Sequence, residues 1–190
     1  MSNLLIFVYG VGVFAAIALS PSSALAQDHP YGASTANGHS QMNALVEVVR
    51  EVTERFKDVT VAENEDYHLL FGCVSGPDSE AMGLHYVNLP LVMDGEIDPR
   101  QPEIVLYEAL PNGRLKLTGA DFLVLADAWD ANNPGNPPQL MGQLFHRFES
   151  PNRFGLPAFY TLHVWAWKEN PSGTFVNWHD NVSCDAFKGQ

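Results

Sequence analysis

Residues 103–125, EIVLYEALPNGRLKLTGADFLVL, form the stretch that decides the fold predicted from the sequence. Two runs rich in apolar and β-branched residues, 103–110 and 114–125, flank a Pro-Asn-Gly turn at 111–113. Asn-Gly between two such runs is the strongest short-range signal for a β-hairpin, because Asn and Gly tolerate the positive φ angles of the turn. The stretch therefore predicts two antiparallel strands, with a bend near Gly119 in the second.

Further strand signals lie on both sides of this hairpin. Residues 84–88 predict a short strand before it, and residues 159–168 predict a strand after it. An Asn-Pro-Ser-Gly turn then predicts a returning strand at 174–179. If this turn closes simply, we expect His163 to lie near Asp180.

Helix signals are confined to the N-terminal half of the chain. Apolar residues recur at spacings of three and four over residues 41–57, which predicts an amphipathic helix that begins after Ser40 as its N-cap. A capping-box pattern predicts a second, short helix at 61–68. Because helices precede the strands and do not alternate with them, the sequence predicts an α+β domain. In it, N-terminal helices pack on a mainly antiparallel sheet.

The N-terminal segment predicts export. The first 26 residues carry no charged side chain, and their apolar run at 4–19 is shorter than a membrane-spanning helix needs. Ala24-Leu25-Ala26 matches the small-x-small pattern that signal peptidase cleaves. We therefore expect a signal peptide at 1–26, a flexible leader at 27–40 and a single domain at 41–190. An uncleaved membrane anchor is the alternative.

Charge and cysteine content add to this prediction of a secreted or periplasmic protein. The formal net charge of −12 argues against binding to nucleic acid or to an anionic membrane surface after cleavage of the signal peptide. The chain has two cysteines, Cys73 and Cys184. In an oxidising compartment we expect them to form a disulfide. Two free, buried thiols are the alternative.

Four residues are candidates for a metal-binding or ligand-binding site, although the sequence contains no familiar catalytic or cofactor motif. A simple hairpin register places Glu108 opposite Leu117, where a buried carboxylate needs a partner, a metal ion or a raised pKa. Alternatively, Glu108 reaches water. The other three candidates are histidines that lie among apolar or aromatic neighbours: His85, His146 and His163. Histidines converging with a carboxylate would suit zinc or another divalent transition metal, whereas separate histidines would be ordinary core residues.

Three functions remain open at this point. The leading hypothesis is a binding protein that holds a small ligand or a divalent metal in a pocket of His, Glu and aromatic residues. The second is an exported enzyme of the hydrolase or lyase type, with His163 as general base and Glu108 assisting it. The third is a structural or interaction protein without a small-molecule site, in which the aromatic residues simply form the core.

Several longer segments together resemble a group of small exported bacterial proteins of unknown function. They are FGCVSG at 71–76, AMGLHYVN at 81–88, PEIVLYE at 102–108 and FYTLHVWAWKENPSGTF at 159–175. The resemblance runs from about residue 52 to residue 184. It implies a bacterial, exported, single-domain protein and assigns no catalytic role to any residue.

Overall fold

The computed structural model describes residues 31–77 and 80–189, with side chains described from Ser40 onward except for Asn43. The signal peptide predicted at 1–26 lies outside the described residues, as do residues 27–30 of the predicted leader. The elements, in chain order, are α1 Tyr31–Thr53, a 3₁₀ turn Glu54–Lys57, α2 Val59–Asn64, β1 Tyr67–Ser75, β2 Ala81–Asn88, α3 Leu89–Asp94, β3 Ile104–Ala109, β4 Leu115–Leu125, α4 Ala126–Asn132, β5 Gln139–Leu140, β6 Gln143–Leu144, β7 His146–Phe148 and β8 Phe159–Val164.

Six of the strands form one antiparallel sheet in the order β1-β2-β3-β4-β8-β7, and β5 and β6 form a separate pair. From Gly32 onward the chain forms one compact unit. The predicted α+β fold is therefore confirmed. Among the helices of the described residues, none is long and apolar enough to cross a membrane.

The two faces of the sheet are covered by different parts of the chain. On one face, Leu45 and Val49 of α1 pack with Phe122 of β4 and Leu162 of β8, all nearly inaccessible to solvent. Burying each such side chain contributes about 1.5–3 kcal/mol relative to leaving it exposed. On the other face, irregular segments that follow β7 and β8 cover the strands, and the buried side chains there include Val182.

The sheet contains β-bulges, which bend strands and increase their twist. Register shifts occur twice in β1 and once where β3 pairs with β4, so that Leu106 faces Gly119 while Tyr107 faces Leu117. Gly83 of β2 has φ +82°, and a Cβ atom there would lie 2.4 Å from the Tyr107 carbonyl oxygen. Strands β2 and β3 therefore approach more closely here than any residue other than glycine would allow.

The predicted disulfide between Cys73 and Cys184 is confirmed, with 5.7 Å between the two Cα atoms. It joins β1 to the segment that follows β8, across a sequence separation of 111 residues. The C-terminal segment is thus held covalently against the sheet.

The predicted helix boundaries were wrong in detail. Helix α1 begins at Tyr31 instead of after Ser40, so Ser40 lies inside the helix. Two glycines among the added residues concealed this extension, since glycine disfavours helices. The second helix ends at Asn64, because its cap is Asp58, whose side chain accepts a hydrogen bond from the Thr60 amide. The chain that follows it belongs to β1.

The returning strand predicted at 174–179 is absent from the described residues. The segment runs alongside β8 as a loop and forms one isolated bridge, between His179 and Ala81 of β2. Single hydrogen bonds replace a ladder: the Asn170 side chain donates to the Trp178 carbonyl, and the Trp165 indole donates to the Val176 carbonyl. Because these side chains take the backbone acceptors, no second strand forms.

Candidate metal centre

Three strands place His85, Asp121 and His163 together on the face of the sheet that the C-terminal segment covers. Asp121 on β4 lies directly opposite His163 on β8. His85 on β2 pairs with Leu106 on β3, three strand positions away from β8. Even so, the ring centroids of His85 and His163 are 5.7 Å apart.

The bends of the sheet explain how these distant strands meet. In a flat sheet, backbones three positions apart would be separated by about 14 Å. The bulge opposite Leu106 and the close approach at Gly83 lie between the two histidines and distort the sheet. A Cβ atom at Gly119 would lie 2.3 Å from the Val164 carbonyl oxygen, so β4 and β8 also approach closely beside the site.

The spacing of the three side chains suits a metal ion. One ligand atom from each of His85, Asp121 and His163 lies within 4.8 Å of the others. Nδ1 of His163 is 3.4 Å from Oδ1 of Asp121. Two ligands bound at 2.0–2.1 Å to a tetrahedral zinc ion are separated by roughly 3.3 Å, so this pair already has the required spacing.

Hydrogen bonds outside the cluster orient two of the three side chains. His85 Nδ1 lies 3.3 Å from the Gly83 carbonyl oxygen, which favours a proton on Nδ1 and leaves the Nε2 lone pair available. The Thr161 hydroxyl donates to Asp121 Oδ1 at 2.5 Å. This arrangement matches metal sites in which neighbouring groups fix the tautomer and direction of each ligand.

His163 lacks such a partner. Within the described part of the chain, neither of its ring nitrogens makes a hydrogen bond, although both are buried. The Asn177 side chain is close enough to influence the pKa of His163, yet its Oδ1 atom is also without a hydrogen-bond partner. Leaving a buried polar atom unpaired costs about 1–3 kcal/mol, so these atoms call for an explanation.

Burial holds both imidazoles neutral. It is the main cause that lowers the pKa of His85 to about 4, and the nearby His163 lowers it further. Burial likewise lowers the pKa of His163 to about 3, with an added contribution from His146. It raises the pKa of Asp121 to about 6, opposed by His85 and by the Thr161 hydroxyl. Near pH 7 the cluster therefore presents two neutral nitrogens and a carboxylate, the protonation state that metal ligands require.

A small apolar cavity opens beside the cluster. Its volume is about 30 Å³, measured as the space open to the centres of water-sized atoms. The three cluster residues and Thr161 contribute its polar lining. The rest is apolar and includes four phenylalanines: Phe71, Phe148, Phe154 and Phe159.

The structure brings together two of the four sequence candidates, His85 and His163. The other two lie elsewhere. Glu108 shares the strand face of Ile104 but is four residues further along β3, where it accepts a 2.6 Å hydrogen bond from Lys168. His146 is exposed on the edge strand β7.

Two predicted pairings near these candidates were wrong. Glu108 faces Lys116 and not Leu117, because the bulge in β4 shifts the hairpin register by one residue. His163 faces Asp121 and not Asp180, which accepts a hydrogen bond from Ser172 instead.

Asp121 is the residue that the sequence reasoning missed. It follows Gly119-Ala120 and precedes four apolar residues within a strand that was predicted correctly. A single carboxylate inside such an apolar run is itself a signal, because a buried charge needs a compensating partner.

No family model matches the sequence, and no curated protein or solved structure is significantly similar to it.

Proposed function

We propose that the protein binds one divalent first-row transition-metal ion through His85, Asp121 and His163. The observation that carries the proposal is His163: it is fully enclosed, lacks hydrogen bonds on both ring nitrogens, and faces a carboxylate at 3.4 Å. A metal ion bonded to one nitrogen would satisfy it and would also neutralise the buried Asp121 carboxylate.

The ligand set favours zinc or iron(II) over calcium or magnesium. Calcium and magnesium prefer oxygen ligands, whereas two imidazoles and one carboxylate suit transition metals. Three protein ligands leave at least one coordination position open, as in metal sites that bind water or an exogenous ligand. The apolar cavity adjoins the cluster on this side.

An extracytoplasmic location accompanies this proposal. Residues 1–26 have the composition of a signal peptide, and the disulfide between Cys73 and Cys184 supports an oxidising compartment. We infer that the protein acts in the bacterial periplasm or outside the cell.

Metal content measured by elemental analysis tests the proposed function. The purified protein, with its disulfide intact, is stripped with a chelator, exposed to Zn²⁺ or Co²⁺ and then dialysed. We expect about one bound equivalent for the native protein, and less than about a tenth for Asp121→Asn and His163→Gln. At about 100 times Kd, the metal should also stabilise the native fold by about 2.7 kcal/mol, which raises Tm by about 5–10 °C.

His146→Gln is the matched control, because it removes an exposed histidine outside the cluster. It should retain about one equivalent of metal. Circular dichroism checks that each variant folds. Metal-free native protein after exposure, or equal binding by Asp121→Asn, would refute the proposal.

A further inference from the structure

We propose that the open position of this metal centre takes a small monoanion of two or three heavy atoms, and that Phe154 sets the size limit. This inference rests on the proposed function. It names the chemical class of the ligand that the site accepts, on the evidence of the charge of the site, the space beside it and the ring that closes that space.

Charge balance favours an anion. A divalent ion held by two neutral imidazoles and the Asp121 carboxylate has a net charge of +1. All three ligands are almost completely buried, with at most 6% of any of them exposed. A net charge in such surroundings is unfavourable, and one monoanion on the metal would cancel it.

The size of the cavity restricts that anion. One water-sized group needs about 10–15 Å³ by the same measure, so a cavity of about 30 Å³ accommodates two or three such groups. Hydroxide, cyanide, cyanate and azide are within this limit. A five-membered ring such as imidazole exceeds it, and acetate is both larger and branched.

Phe154 forms part of the outer wall of this space. Its side chain is half-buried, and its ring lies 5.7 Å from that of Phe71 and 6.2 Å from that of Phe159, centroid to centroid. The backbone amide of Phe154 donates to Asn152 Oδ1, and the neighbouring Arg153 side chain donates to the Ser75 carbonyl. The loop is therefore anchored on both sides of the ring, which holds it over the cavity.

Cobalt-loaded protein provides the test, because the visible d–d bands of Co²⁺ change when a ligand enters its coordination sphere. Azide and imidazole are titrated separately into the Co²⁺ form of the native protein, of Phe154→Ala and of Phe154→Leu. In the native protein we expect azide to bind at least about tenfold more tightly than imidazole. In Phe154→Ala, the Kd of imidazole should fall at least about tenfold, while that of azide changes little.

Phe187→Ala is the matched control, since this ring packs against the opposite face of the sheet. It should leave both titrations unchanged. Phe154→Leu keeps an apolar wall with less volume loss and should show an intermediate effect on imidazole, which covers the case in which Phe154→Ala folds poorly.

The outcomes separate the two proposals. If Co²⁺ does not bind, the proposed function fails before any anion is added. If Co²⁺ binds but azide does not alter its bands, the metal site stands and the anion proposal is refuted. Equal binding of imidazole and azide to the native protein would refute it as well, and an unchanged imidazole Kd in both Phe154 variants would refute the role of Phe154.

Discussion

Replacing Glu103 with Gln should stabilise the protein at high pH and not at low pH. Only 2% of Glu103 is exposed, and its Oε2 atom accepts a 2.9 Å hydrogen bond from the Leu123 amide. Burial raises the pKa of its carboxyl from 4.5 to about 8, and Asp121 and Asp94 add to this, while the hydrogen bond to Leu123 opposes it. Glu103 is therefore mostly protonated in the native protein near pH 7.

The sign and size of the effect follow from these pKa values. Between pH 4.5 and pH 8 the native state binds a proton that the unfolded state releases, so this contribution to stability is present below pH 4.5 and is lost as the pH rises to about 8. Each pKa unit corresponds to about 1.4 kcal/mol, which sets an upper limit of about 5 kcal/mol. Glutamine has nearly the same shape, is always neutral and can still accept the Leu123 hydrogen bond.

Urea unfolding of the metal-free protein at pH 5 and pH 9 measures the effect. We expect Glu103→Gln to differ little from the native protein at pH 5 and to be more stable by about 2–5 kcal/mol at pH 9. Glu47→Gln, at an exposed position of α1, serves as the control and should change stability by less than about 0.5 kcal/mol at either pH.

A stability difference between Glu103→Gln and the native protein that is the same at both pH values, within about 0.5 kcal/mol, would contradict this reasoning. It would mean that the Glu103 carboxyl is ionised when buried. A loss of stability on substitution at pH 9 would lead to the same conclusion, since the variant would then have removed a favourable charge.

Three further perturbations follow from the fold. Replacing Cys73 and Cys184 with Ser opens a loop of 111 residues and should lower the free energy of unfolding by about 4–5 kcal/mol in urea; a loss below about 1 kcal/mol would contradict the loop-entropy argument. Gly83→Ala should lower Tm and weaken metal binding, because its Cβ would collide with a carbonyl oxygen on β3 and shift the carbonyl that orients the imidazole of β2; unchanged Tm would show that the strands can separate there without penalty. Lys168→Met should destabilise the protein by about 1–3 kcal/mol, because it leaves the half-enclosed carboxylate of Glu108 without its cation, and adding Glu108→Gln should restore part of that loss; no recovery in the double variant would assign the loss to other contacts of Lys168.

Local features of the sequence were sufficient for the parts of the fold that depend on neighbouring residues. The hairpin of β3 and β4 was predicted because alternation and an Asn-Gly turn act over a few residues. The buried stripe of α1, with Leu45 and Val49, follows from helical periodicity alone. The disulfide was predictable because two cysteines allow a single intramolecular pair.

Register was beyond the reach of local signals. One extra residue in β4 moved Glu108 from its expected partner Leu117 to Lys116, and a bulge of this kind depends on contacts with other strands. The segment at 174–179 has strand-like composition, yet side chains of β8 and of the preceding turn take its backbone acceptors. Such competition cannot be recognised from composition.

The sequence by itself determined which polar side chains are unusual: His85 and His163 stand out because each interrupts an apolar strand. Only the tertiary structure decided that they meet, that Asp121 joins them, and that Glu108 and His146 do not. Strands β4 and β8 are neighbours although three other strands separate them in the chain, and the bulged sheet closes the distance from β2. Convergence of this kind depends on strand order and curvature, which are set by packing across the whole domain and leave no mark on any short stretch of sequence.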